Sequence, residues 1–154
     1  MTRFSALISA LLCFASMSAQ TMVGKRPLPE GEVVRYNSMI SFRGNGVSGI
    51  CLLKANETGL VGSIVNEFGI KAMDFTYDKE KGKVKLLNVV KFLDKWYIRK
   101  IVKADLSCML RASESQAQKH RNITVGQDGT LALENTKYHI TYNLTPIEEN
   151  AVKE

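Results

Sequence analysis

Proline, cysteine, histidine and tryptophan are all scarce in this chain of 154 residues, with three Pro, three Cys, two His and one Trp. So few prolines, beside 11 glycines, exclude collagen-like and proline-rich disordered chains. The cysteines have no CxxC spacing, which removes both a cysteine zinc site and a disulfide-stapled scaffold. His120 and His139 form no HExxH motif and no pair at helical spacing, so no metal centre is expected. There is no GxSxG elbow, and Cys51 and Cys108 lie among apolar residues that favour an inert thiol. Gly44, Gly46 and Gly49 precede a strand and lack the Lys-Ser/Thr ending of a phosphate loop. Asp74 and Asp78 are explained by strand alternation and turn chemistry. The expectation is a protein without catalytic residues, metal or cofactor.

Long apolar runs are also missing after the N-terminus, where nothing approaches the roughly 18 to 20 residues of a membrane-crossing helix. The N-terminus itself has Arg3, an apolar run from Phe4 to Phe14, and the small residues Ala15 to Ala19. That organisation predicts a secretory signal peptide over 1–19, cleaved after Ser18 or Ala19, and an exported, periplasmic protein that is soluble or peripheral to the outer membrane. Cys13 reads as part of the apolar run. Export permits a disulfide between Cys51 and Cys108, but spacing does not decide whether they join. The whole chain has 45% hydrophobic and 23% charged residues and a formal charge of +6, the balance of one ordinary domain. Residues 20–32 carry Pro27, Pro29, Gly24 and Gly31 and read as a leader, 33–146 as a single β-rich domain, and 147–154 as a charged tail.

Within the domain, turn signals separate runs of strand length. Val34, Tyr36, Ile40 and Phe42 share one face of their run, as do Met73, Phe75 and Tyr77, and Val84, Leu86, Val90 and Phe92. A period of two marks half-buried strands. The runs Val47 to Lys54 and Leu60 to Asn66 are apolar on both faces, which predicts central strands covered on both sides. Ser113 to Arg121 reads as a loop or helical tail, and Ile123 to Val125, Leu131 to Glu134 and Tyr138 to Leu144 as closing strands.

From Asp94 to Ala112 there is neither Gly nor Pro, and Asp94 suits an N-cap. At 100° per residue, Leu93, Tyr97, Ile101, Ala104 and Cys108 make an apolar stripe opposite Lys95, Arg99 and Lys103. A strand over Trp96 to Val102 is the alternative that its aromatic and β-branched residues leave open. Lys91, Lys95, Arg99 and Lys103 recur every four residues and predict a positive ridge, with Trp96 beside it, that suits a partner or a membrane surface. The fold expected is mainly β (α+β): a strongly curved antiparallel sheet, an incomplete β-barrel, with one main helix packed on it.

The succession Met39-Ile40-Ser41-Phe42, Val47 to Lys54, Asn66-Glu67-Phe68-Gly69-Ile70-Lys71 and Met73-Asp74-Phe75, followed by Phe75-Thr76-Tyr77 and the 94–110 helix, resembles the LolA/LolB-like lipoprotein carrier superfamily, particularly its short Bacteroidetes forms. The resemblance spans residues 37 to about 110. It implies an apolar cavity for a lipid or lipoprotein acyl chain, lined here by Tyr36, Ile40, Phe42, Met73, Phe75, Tyr77, Leu86, Val90, Tyr97 and Ile101. It also implies transport toward the outer membrane and a partner protein at the inner or outer membrane. Nucleic acid is not expected, because the aromatics follow core spacing instead of interrupting a basic patch. The same ten residues would equally fill a solid core, as in a ligand-free structural or protein-interaction module of the same fold.

Overall fold

The computed structural model describes residues 20–148; the expected signal peptide and positions 149–154 of the charged tail lie outside the described residues. In chain order the elements are β1 (Thr21–Val23), β2 (Arg26–Leu28), β3 (Val33–Phe42), β4 (Asn45–Ala55), β5 (Gly59–Asn66), β6 (Lys71–Asp78), β7 (Lys83–Val89), α1 (Trp96–Arg111), β8 (Gln116–Gln118), β9 (Arg121–Val125), β10 (Leu131–Asn135) and β11 (Ile140–Pro146). Strands β3 to β11 form one antiparallel nine-stranded sheet in the order β7-β6-β5-β4-β3-β11-β10-β9-β8. The last strand thus enters between the first hairpin and the C-terminal one. The sheet is not closed into a barrel, and β7 and β8 are its edges.

The alternation read from the sequence sets the sheet's faces. Tyr36 pairs with Cys51, Cys51 with Ile64 and Ile64 with Met73, and all four are buried on the face that α1 covers. The β3–β4 connection is the two-residue turn Arg43-Gly44, both at positive φ, which is the geometry a tight hairpin requires. Gly62 stands opposite Phe75, and a Cβ at Gly62 would overlap the Phe75 ring. The missing side chain is therefore what lets that ring lie flat on the neighbouring strand.

Several expectations need correction. The leader is not a mere approach to the domain: β1 and β2 pair as a small ribbon, and Val23 and Leu28 are buried in the common core. Ser113 to Arg121 contains edge strand β8 and the start of β9, joined by a turn with His120 at positive φ. Its all-exposed Gln116-Ala117-Gln118 has no buried face, so no alternation announces it. The second face of the central strands is not covered, since Ile50 and Val61 are exposed while their neighbours Cys51 and Leu60 are buried. The helix starts at Trp96 with Lys95 in the cap position and no side-chain cap. Asp94 instead accepts from Arg99 Nη1 at 2.7 Å.

The helix stripe is also displaced from the expected one. Only Asp105 to Leu110 are buried on α1, Ile101 and Val102 are half-buried, and Tyr97 is exposed. Two anchors fix this pose. Along β7, whose outer edge has no strand partner, Val84 N–H donates to Ser107 Oγ at 2.8 Å, and the Ser107 hydroxyl donates to the Lys103 carbonyl at 2.6 Å. Helical side chains thus satisfy an edge that would otherwise be open to another strand. Across the sheet, the fully buried Asp105 carboxylate accepts from Arg121 Nε at 2.7 Å, from Asn135 Nδ2 at 3.0 Å and from Tyr142 Oη at 2.9 Å. These donors belong to β9, β10 and β11 in turn.

Burial, reinforced by the neighbouring Asp105 charge, raises the Tyr142 phenol well above its ordinary value. The hydrogen bond to Asp105 raises the Arg121 guanidinium. Removing the carboxylate leaves an amide and a hydroxyl buried without an acceptor. Asp105→Ala is expected to lose about 3–5 kcal/mol in urea unfolding, whereas Lys119→Ala, an exposed change, stays within about 0.5 kcal/mol.

Candidate functional site

Of the residues expected to line a cavity, Tyr36, Met73, Phe75, Tyr77 and Leu86 all lie in the core, each no more than 7% exposed. They do not enclose a ligand-sized space in this conformation. Leu106, Met109 and Leu110 reach down from α1 between Leu53, Ile64, Phe75 and Tyr142, leaving a gap of about 10 Å³. That volume holds one water at most, and no acyl chain.

Ile40, Val90 and Ile101 are half-buried, and Phe42 and Tyr97 are exposed at 49% and 47%. Their position follows from how far the helix reaches. Ile40 and Phe42 continue the face of Tyr36 along β3, and Val47, opposite Ile40, continues that of Cys51 along β4. Beyond the cover of α1 this face goes on as an apolar ledge. The turn end of the strands nearest the helix start carries further exposed aromatics: Phe68 in the β5–β6 turn, Phe92 between β7 and α1, Trp96 and Tyr97 on the first helical turn, and Tyr138 in the β10–β11 turn. Trp96 and Tyr97 meet edge to face with centroids 5.9 Å apart. Arg43 lies over the Phe42 ring and Lys137 over that of Tyr138, at 5.4 and 5.2 Å. The buried aromatics Tyr36, Phe75, Tyr77 and Tyr142 belong to the opposite class, so the described aromatic residues divide between a solid core and one exposed end.

The positive ridge is rearranged. Lys91 stands in the turn before the helix and Lys95 in its cap position, so only Arg99 and Lys103 of the four lie on α1 itself. They form one wall of an open groove of about 810 Å³ between α1 and β7. Lys100 and Arg111 join that wall, Trp96 stands at one end, and Lys83 and Lys85 come from β7. The alternation of Lys83 and Lys85 was visible in the sequence, but nothing local said that the helix returns along that edge.

Cys51 and Cys108 are free and buried. Burial pushes Cys51 up to about 12, and burial likewise pushes the Tyr36 phenol up to about 12 despite the nearby Arg26 charge. A thiol so protonated is a poor nucleophile. Asp74 is held below its ordinary value: partial desolvation opposes the shift, but hydrogen bonds with Asn88, Ser63 and Lys71 prevail. Asp78 accepts from the Glu80 and Lys81 amides and serves its turn.

The raised values carry a sign for stability. Above about pH 9 the unfolded chain releases protons from Cys51 and Tyr36 that the folded chain retains, so stability is full below that pH and falls toward pH 12. Urea unfolding is expected to show a loss of stability from pH 8 to pH 10.5, of which about 2 kcal/mol is absent in Cys51→Ala when each variant is compared with itself. A thiol reagent should leave Cys51 unmodified until the chain unfolds.

No protein-family model matches this chain, and no curated protein matches it.

Proposed function

We propose that this chain is an exported, periplasmic, non-catalytic binding protein for a lipid or lipoprotein acyl chain, acting in transport toward the outer membrane. The observation that carries the reading is the ledge of Ile40, Phe42 and Val47, where the apolar face of the sheet runs on past its covering helix. Contiguous exposed apolar surface is unusual for a protein without an apolar partner. Each methylene removed from water onto such a surface contributes about 0.8 kcal/mol, so a chain can be held with no covalent step. The resemblance of residues 37 to 110 to the lipoprotein carriers points the same way. Trp96, the single tryptophan, is exposed on the first turn of the helix and serves as the fluorescent reporter.

A second reading is favoured by the filled interior: a packed interaction module of the same shape that takes no lipid. The two separate in one experiment. The uncharged probe N-phenyl-1-naphthylamine should brighten on mixing with the protein and be displaced by a monoacylglycerol. The double variant Phe42→Ala/Val47→Ala should bind about tenfold more weakly with an unchanged melting temperature. A folded protein that neither brightens the probe nor changes its Trp96 emission with monoacylglycerol would leave the packed module standing.

A further inference from the structure

We infer that the groove between β7 and α1 binds the phosphorylated head group of an anionic lipid. The inference rests on the amphiphile-binding reading above and adds the head-group class. Six cations line the groove, and no carboxylate does. Two walls share the charge: Lys83 and Lys85 project from the same side of β7, while Lys100 and Lys103 project from α1. These four lysines form no ion pair among the described residues, unlike Arg99, which is held by Asp94 at 2.7 Å. Like charges that face each other across a concave surface repel, and folding tolerates the arrangement most easily when an anion neutralises it.

Size and polarity narrow the ligand. The lining runs along α1 from Trp96 to Arg111, far longer than one phosphate, and suits a head group with its glycerol or sugar. The Arg111 guanidinium adds forked donors along the same lining, the kind that phosphate oxygens take. The groove also has a direction. It runs from Trp96, beside the exposed aromatic end, to Gly82 and Arg111. A lipid lying along it places its phosphate among the lysines and its chain toward Trp96, Tyr97 and the end of the strands that carries the ledge.

Soluble dihexanoyl phosphatidic acid, inorganic pyrophosphate and dihexanoyl phosphatidylcholine serve as the probes, read by Trp96 fluorescence and by calorimetry. Phosphatidic acid is expected to bind most tightly, pyrophosphate at least about tenfold more weakly and phosphatidylcholine weakest. The double reversal Lys85→Glu/Lys103→Glu, one change on each wall, should lower phosphatidic acid affinity at least about tenfold. Lys25→Glu/Lys119→Glu makes the same change of net charge outside the groove and should stay within about twofold. Equal loss in the two double variants, with both melting as the parent does, would reduce the effect to overall charge and overturn the site. Equal affinity for pyrophosphate and phosphatidic acid would overturn the lipid assignment, and binding of neither would overturn the groove altogether. The uncharged naphthylamine probe does not depend on these lysines. Retained probe binding beside failed phosphate binding therefore refutes the head-group inference alone, and loss of probe binding refutes the acyl reading beneath it.

Discussion

A single carboxylate with no exposure to solvent decides where the helix lies. Asp105 has donors from β9, β10 and β11, and only one placement of α1 brings all three within reach. A purely apolar contact between Leu106, Met109, Leu110 and the sheet would tolerate sliding by a turn, because such contacts have no direction. A buried charge tolerates none, since displacement would leave it unpaired in a medium of low polarity. The helix is consequently pinned at its middle and C-terminal half, and its first turn extends beyond the surface that it covers. The exposure of Trp96 and Tyr97 follows from that geometry without any further cause.

The same constraint accounts for the groove. A helix held across the sheet by Asp105 leaves along β7, where Ser107 closes the strand edge and Arg99 Nη2 reaches the Leu86 carbonyl at 3.5 Å. The side chains that point outward from β7 then meet those on the outer side of the helix, and in this sequence both sets are cationic. The other edge, β8, needs no such cover, being three residues long and wholly polar but for Ala117.

The main strands were legible in the sequence because each has one buried face, and a buried face imposes a period of two that composition cannot imitate. The Gly-rich turn after Phe42 was legible for a similar reason, since tight hairpins demand positive φ. Legibility ended where the determining contact lies far away in the chain. Val23 and Leu28 look like isolated apolar residues among prolines, and only the core that they join makes a ribbon of them. Asp105 reads as an ordinary polar residue on a helix, since its partners stand 16 to 37 positions later. The helix stripe was read with Tyr97 inside and gave Asp105 no part in it. A hydrophobicity pattern assumes that charge faces water, and here three hydrogen-bond donors reverse that preference. The groove was half legible: the cations were evident one element at a time, and their meeting was not.

Energetics also bear on where an acyl chain would lie. Opening the interior would take Leu106, Met109 and Leu110 out of the core at roughly 1.5–3 kcal/mol each, and would break the Asp105 contacts at about 3–5 kcal/mol more. At about 0.8 kcal/mol for each methylene, a chain must bury on the order of ten methylenes or more merely to offset that cost. The ledge demands no such opening, because Phe42 and Val47 already face solvent. On the proposed function, a short chain would thus be confined to the surface, and only a long one would hold enough apolar area to exchange places with the helix. The strength of the Asp105 contacts would then set the length at which the two modes cross, so the residue that fixes the fold would also set the threshold for deep uptake.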